Sequence, residues 1–198
     1  MRWLALYLRS RRAPAALVVA VLGAVLMWGL WSVFSNSREV GVQMVILTVL
    51  LLVAALTATL SGPDDALEKT AALRWPPRRA AHLLVALLVV VVPLLVTLAT
   101  GARFGPAGLV VRDAAGLLGL TALGAATIGT ARAWFLPLGW TLGAVLFPHS
   151  DQLIGRILTW QAQAPASVAA GLTAGLLAAA GLMAYARGVP AATTAASP

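Results

Sequence analysis

An all-α integral membrane protein is the fold class this sequence predicts, and three observations predict it. Of the 198 residues, 61% are hydrophobic and only 10% charged, with a mean hydropathy of +0.92. A soluble domain of that size has no interior large enough for so much apolar side chain. The apolar runs are continuous and rich in Ala and Leu, whereas membrane strands alternate over roughly ten residues. The basic residues gather at the ends of those runs, where they anchor a chain to anionic lipid. That placement also excludes nucleic acid as the partner, despite a net charge of +8. With no cysteine in the chain, there is no disulfide framework and no thiolate metal site.

The chain divides into one domain of six spans, residues 1–187, and a disordered tail of Pro, Ala, Thr and Ser, residues 188–198. At the start, MRWLALYLRSRR places Trp3, Leu4 and Tyr7 on one side of a helix and Arg2 and Arg9 on the other. This is an interfacial amphipathic helix, anchored by Trp3, Tyr7, Arg9, Arg11 and Arg12. The run from Pro14 to Phe34 exceeds the ~7–15 apolar residues of a signal peptide core. It lacks a small-x-small cleavage site, and is read as a retained first span with Pro14 in its first turn and Trp28 and Trp31 near the outer interface. Ser35–Glu39 is a short loop, and Val40–Leu60 the second span.

Ser61 to Arg79 reads SGPDDALEKTAALRWPPRR and holds both signs of charge. Ser61 followed by Asp64 fits an N-cap, Asp64 and Asp65 suit the helix N-terminus, and Asp65 can pair with Lys69 one turn on. Pro76-Pro77 is expected to stop this short helix. Two readings remain open: a helix lying on the cytoplasmic face that a soluble partner grips, or a plain loop whose charges set topology.

His82 to Thr100 forms the third span, with Pro93 as a bend. His82 is read as an interfacial polar group in preference to a metal ligand. Gly101–Gly108 is an outer loop, and Leu109–Thr130 the fourth span. Arg112 and Asp113 sit near its outer end, on different parts of the helix surface, where both can snorkel to water. They are read as topological charges or, with Leu153 and Ile157, as contacts on a substrate path or outer gate. Ala115 and Gly119, then Ala122 and Ala126, are spaced four apart, as close helix packing requires.

After the turn at Ala131–Ala133, Trp134–Phe147 is a fifth span of only ~14 residues where a crossing needs about 20. The following Asp151–Trp160 places Leu153, Ile154, Ile157 and Leu158 on one face. This is read as a re-entrant or interfacial outer helix, or an ordinary outer loop with a surface helix. Pro165–Tyr185 is the sixth span, with Pro165 in its first turn and a GxxxG at Gly171 and Gly175.

Counting Lys and Arg by side orients the chain. With the N-terminus cytoplasmic, ten of the fourteen basic residues face inward, and Arg38, Arg103, Arg112 and Arg156 face outward. Both termini and the charged segment at Ser61–Arg79 are then cytoplasmic. Catalytic patterns are missing: Lys69 has no glycine-rich run before it, and neither H-E-x-x-H nor G-x-S-x-G occurs. No enzyme activity is expected, and no cofactor or metal bound by this chain. A proton- or ion-coupled transporter wants ionisable residues deep in a span, and the sequence places none there. A non-transporting accessory or scaffold subunit suits the small-residue faces equally well.

The layout resembles the permease subunits of ABC-2 type (type V) exporters. Six spans with both ends inside, an amphipathic start and a charged helix between spans two and three carry the resemblance, the last on DDALEKTAALRWPPRR, Asp64 to Arg79. It implies a separate P-loop ATPase that holds ATP and Mg and docks on that segment, the coupling helix of the family. Asp64, Asp65, Leu67, Glu68, Lys69, Arg74, Trp75, Arg78 and Arg79 would then make the contact. It also implies a second permease copy or a related chain, and re-entrant helices between spans five and six. The Ala- and Arg-rich composition is of the kind high-GC bacterial genomes encode, so the expected location is a bacterial plasma membrane.

Overall fold

The computed structural model describes residues 13–60, 75–146 and 152–188. Seven α-helices run in order through them: α1 (Ala13–Phe34), α2 (Val42–Thr57), α3 (Trp75–Thr97), α4 (Ala107–Thr127), α5 (Phe135–Leu146), α6 (Leu153–Leu158) and α7 (Val168–Arg187). Two 3-10 turns, Thr130–Arg132 and Trp160–Ala162, follow α4 and α6. The described residues hold no strand, only an isolated bridge between Glu39 and Arg103. Four helices (α1, α3, α4 and α7) are long and apolar enough to cross a bilayer, and α2 is a shorter apolar helix. The described residues are all-helical, and their four long apolar helices fit a membrane protein.

Its centre is α4, which packs against α2, α3, α5 and α7. Of its most apolar stretch 78% is buried, against 11% for α1. The composition of α4 explains this. Gly116, Gly119, Ala122, Gly124 and Ala126 project so little that neighbouring backbones close in around it. Lipid tails are as apolar as leucine, so helices in a bilayer gain little from hiding hydrocarbon and much from tight contact. The nearest approach is to α7. A Cβ on Gly119 would lie 2.5 Å from Ala178 Cα, and one on Gly181 would run into the Gly119 carbonyl. The expected small-residue face on α4 is therefore used at Gly119. The GxxxG is not: Gly171 and Gly175 have nothing within 4 Å.

At the periphery, α1 buries only Ala16, Ala20 and Ala24, one seam of four-residue spacing. Its C-terminal end is tied by Trp28 Nε1 donating to Thr100 Oγ1 at 3.0 Å and by Trp31 Nε1 donating to the Ser37 carbonyl at 2.8 Å. The same end joins two loops, where Val40 N donates to Arg103 O at 2.9 Å and Arg103 N to Arg38 O at 2.7 Å.

One proline pair gains a role, and one expectation about proline changes. Pro76 and Pro77 lie in the first turn of α3, which already begins at Trp75. The first turn of a helix has no use for the amide hydrogens that proline lacks, so the pair opens a helix there. Pro165 precedes α7 in a turn, and Ser167 caps the helix by accepting from Ala170 N. The N-terminal anchor residues Trp3, Tyr7, Arg9, Arg11 and Arg12 and the tail 189–198 lie outside the described residues.

Gly119→Ala is expected to lower stability by about 1–3 kcal/mol, as overpacking does. Gly171→Ala, on an open face, stays within about 0.5 kcal/mol. Thermal unfolding of the two variants in the same detergent makes the comparison.

Candidate functional site

Two clusters of polar side chains stand out in an otherwise hydrocarbon bundle, one at each end of the α4–α7 pair. The first is built on α4. Arg112 is 9% exposed and Asp113 fully buried. Arg112 Nε donates to Asp113 Oδ1 at 2.9 Å. Its two terminal nitrogens donate to main-chain carbonyls that precede α7. Nη1 reaches Gln163 O at 3.2 Å and Ala164 O at 3.0 Å, and Nη2 reaches Gln161 O at 3.0 Å and Gln163 O at 3.2 Å.

The snorkelling expected of these two charges is thus overturned. Adjacent residues point about 100° apart on a helix, which suggested separate surfaces. A guanidinium is long enough to fold back over its neighbour, and its fork of donors matches a run of carbonyls that no helix satisfies. A buried guanidinium without such partners would be costly, so the pair and the loop stabilise each other.

The loop gripped by Arg112 goes deep. Trp160 is fully buried, and its ring lies over Gly116, where a Cβ would meet ring carbons. Gly116 is the tenth residue of the 21-residue α4, about 14 Å from its start at 1.5 Å per residue. Trp140 Nε1 donates to Leu158 O at 3.0 Å, and Gln161 Nε2 donates to Thr141 Oγ1 at 3.2 Å. Trp140 and Thr141 are only the sixth and seventh residues of α5. The Trp160 ring therefore reaches the middle of α4, and the 3-10 turn sits beside the middle of α5, while α6 itself packs against α7 and α5. Asp113 Oδ2, Trp160 Nε1 and Gln161 Oε1 are buried there without a hydrogen-bond partner among the described residues. On α6, Leu153 and Ile157 are exposed, Leu153 at 67%. They do not join the Arg112 cluster, and they line the outer surface of the bundle.

The second cluster lies where α2 and α7 end and α3 begins. Tyr185, near the end of α7, donates its hydroxyl to Leu60 O at 3.1 Å. It also accepts at its own carbonyl from Arg79 Nη1 at 3.3 Å. The Arg79 guanidinium carbon stands 5.7 Å from the Tyr185 ring centroid, within cation–π range. Thr59 Oγ1 and His82 Nε2 are 3.0 Å apart, joining α2's end to α3 a second time. Gly188 closes α7 in a left-handed conformation, φ 62°, which glycine adopts without strain.

Of the residues expected to contact an ATPase, Arg78 and Arg79 fall on α3, and Arg79 is engaged by Tyr185. Trp75 is the first residue of α3. Asp64, Asp65, Leu67, Glu68, Lys69 and Arg74 lie outside the described residues. Tyr185, Leu60, Trp160 and Gln161 are the residues that sequence reasoning did not single out. A tyrosine one turn from the end of an apolar helix was the only available signal among them.

No family model, curated protein or solved structure matches this chain.

Arg112→Gln is expected to cost about 3–5 kcal/mol, because it leaves Asp113 as an uncompensated buried charge. The double variant with Asp113→Asn should recover part of that loss. A double-mutant cycle on unfolding midpoints measures the coupling.

Proposed function

We propose that the chain is the membrane-embedded permease subunit of an ATP-driven exporter of the ABC-2 type, without catalytic activity of its own. A separate P-loop ATPase, carrying ATP and Mg, would dock on residues 64–79. The observation that carries this reading is the anchoring of the charged segment on both sides. Leu60, just before it, and Arg79, its last residue, both bond to Tyr185. A segment tethered at both ends to the last long helix is suited to pass a push from a soluble partner into the bundle. A freely hinged loop would absorb the same push.

The six-span layout belongs to this reading. It counts α1, α2, α3, α4, α5 and α7 as spans, with α6 and the Trp160 turn completing the short α5 from the outer side. Non-helical backbone at that depth is tolerated where protein covers it, as α4 and Arg112 do here. On this reading both termini and residues 61–79 face the cytoplasm of a bacterial cell, and the ten-to-four bias of Lys and Arg supports that orientation. A second copy or a related permease would complete the path. ATP-driven closure of the ATPase pair would shift the segment and with it the bundle.

One observation favours a second reading, an ion-coupled transporter. Asp113 is fully buried with one carboxylate oxygen unpartnered, and intramembrane carboxylates mark ion and proton paths. An accessory subunit without transport is the third reading.

Pull-down of the tagged full chain from membranes separates these readings. The permease reading expects a P-loop ATPase to copurify in near-stoichiometric amount. Glu68→Lys and Arg74→Glu should each uncouple ATP hydrolysis from transport while leaving membrane insertion intact. Wild-type transport in both charge reversals, or an ATPase that never copurifies, counts against it.

A further inference from the structure

One polar cluster grips α4 at one end of the α4–α7 pair, the other grips α7 at the opposite end, and between them the two helices meet backbone to backbone. We infer that α4 and α7 form a rigid strut that couples the Leu60–His82 end of the bundle to the 153–164 segment, so that a displacement at either is felt at the other.

The lower attachment is Tyr185. Its hydroxyl holds the end of α2 at Leu60, and its carbonyl and ring hold α3 through Arg79. Both grips are on α7, so moving the ends of α2 and α3 pulls on α7 directly.

The middle of the strut is backbone against backbone. Ala170 and Ala174 are buried on α7, and Gly181 faces the Gly119 carbonyl. Side chains between helices rotate and take up small movements, but here almost none intervene. Slip along the axis is opposed as well. Ala174 and Ala178 carry a Cβ, and a shift would bring a methyl into the place that only Gly181 fits. Packed interfaces of this kind tend to move as units.

The upper attachment is doubled. Arg112 on α4 holds the carbonyls of Gln161, Gln163 and Ala164, and Gly116 on α4 receives the Trp160 ring. The gripped residues lie three to six positions before Ser167, which caps α7. The loop, α4 and α7 thus close on themselves, and the loop cannot shift without moving one helix against the other.

Coupling of this sort is reciprocal by thermodynamic necessity, which makes it testable from both ends. The inference stands on these contacts and not on the exporter reading. The experiment needs no ATPase, so the two can fail separately.

The test is hydrogen exchange by mass spectrometry on the full chain in lipid nanodiscs. Tyr185→Phe deletes the bond to Leu60, and Arg112→Gln deletes the grip on the loop. Tyr185→Phe should speed exchange in residues 153–164 by about fivefold or more, the lower end of typical coupling between linked sites. Arg112→Gln should do the same at residues 56–60 and 75–82. Should either variant fail to insert, Arg79→Lys and Trp140→Phe perturb the same two ends more gently and carry the same expectation. Effects confined to the mutated end overturn the strut. So does a rise shared equally by α1, which lies off the strut and would report only general loosening.

Discussion

The approach of α4 to α7 at Gly119 and Gly181 is the constraint on which the rest of the bundle depends. In a bilayer the drive to hide hydrocarbon is gone, and association rests on contact between surfaces that fit. Glycine at the crossing lets two backbones touch, and the contact brings α4 into the middle of the molecule. Once α4 is central, α2, α3 and α5 have a common surface to pack on. Val49, Leu52 and Val53 of α2, Val90 and Leu94 of α3, and Val110 and Leu117 of α4 fill the space around it and are almost wholly buried.

A second consequence is electrostatic. Centrality puts Arg112 and Asp113 where neither can reach water, and a lone charge in that position would be expelled or neutralised. The chain answers with a broken helix. Between Leu158 and Val168 the backbone leaves several carbonyls outside any helical ladder, and the guanidinium takes up four hydrogen bonds to three of them. Arginine suits this better than lysine, since its planar fork presents donors in two directions at once. The half-length α5 is part of the same arrangement: Trp140 and Thr141 supply hydrogen bonds to the loop that fills the space beside it.

Much of this was legible in the residues. Continuous apolar runs marked the helices within two or three residues for α1, α4 and α5, and the small residues at Gly119 and Ala122 marked the buried face of α4. The shortness of α5 and the apolar face of α6 were also visible. What escaped was mostly pairing across the chain. Nothing near Arg112 announces a partner fifty residues later, because its acceptors are main-chain carbonyls and carry no sequence signature. Gly171 and Gly175 have the same spacing as a packing motif and face outward, while Gly181, which has no glycine partner at four residues, makes the crossing. Spacing records which residues share a face of a helix, and the neighbours decide which face is used. Pro76-Pro77 reads as a stop for the segment before it; the pair also sits in the first turn of α3, a role the same residues suit equally well.

The three alanines of α1 have an implication for how this molecule tolerates change. Most other positions of that helix before Met27 are open to the surroundings, so nothing inside the protein reads their identity beyond their being hydrocarbon. Drift among Val, Leu and Ile there is close to invisible to the fold. Ala16, Ala20 and Ala24 form a narrow keyway, and any greasy segment preserving those three notches, with the tryptophans at its far end, would serve as a replacement part.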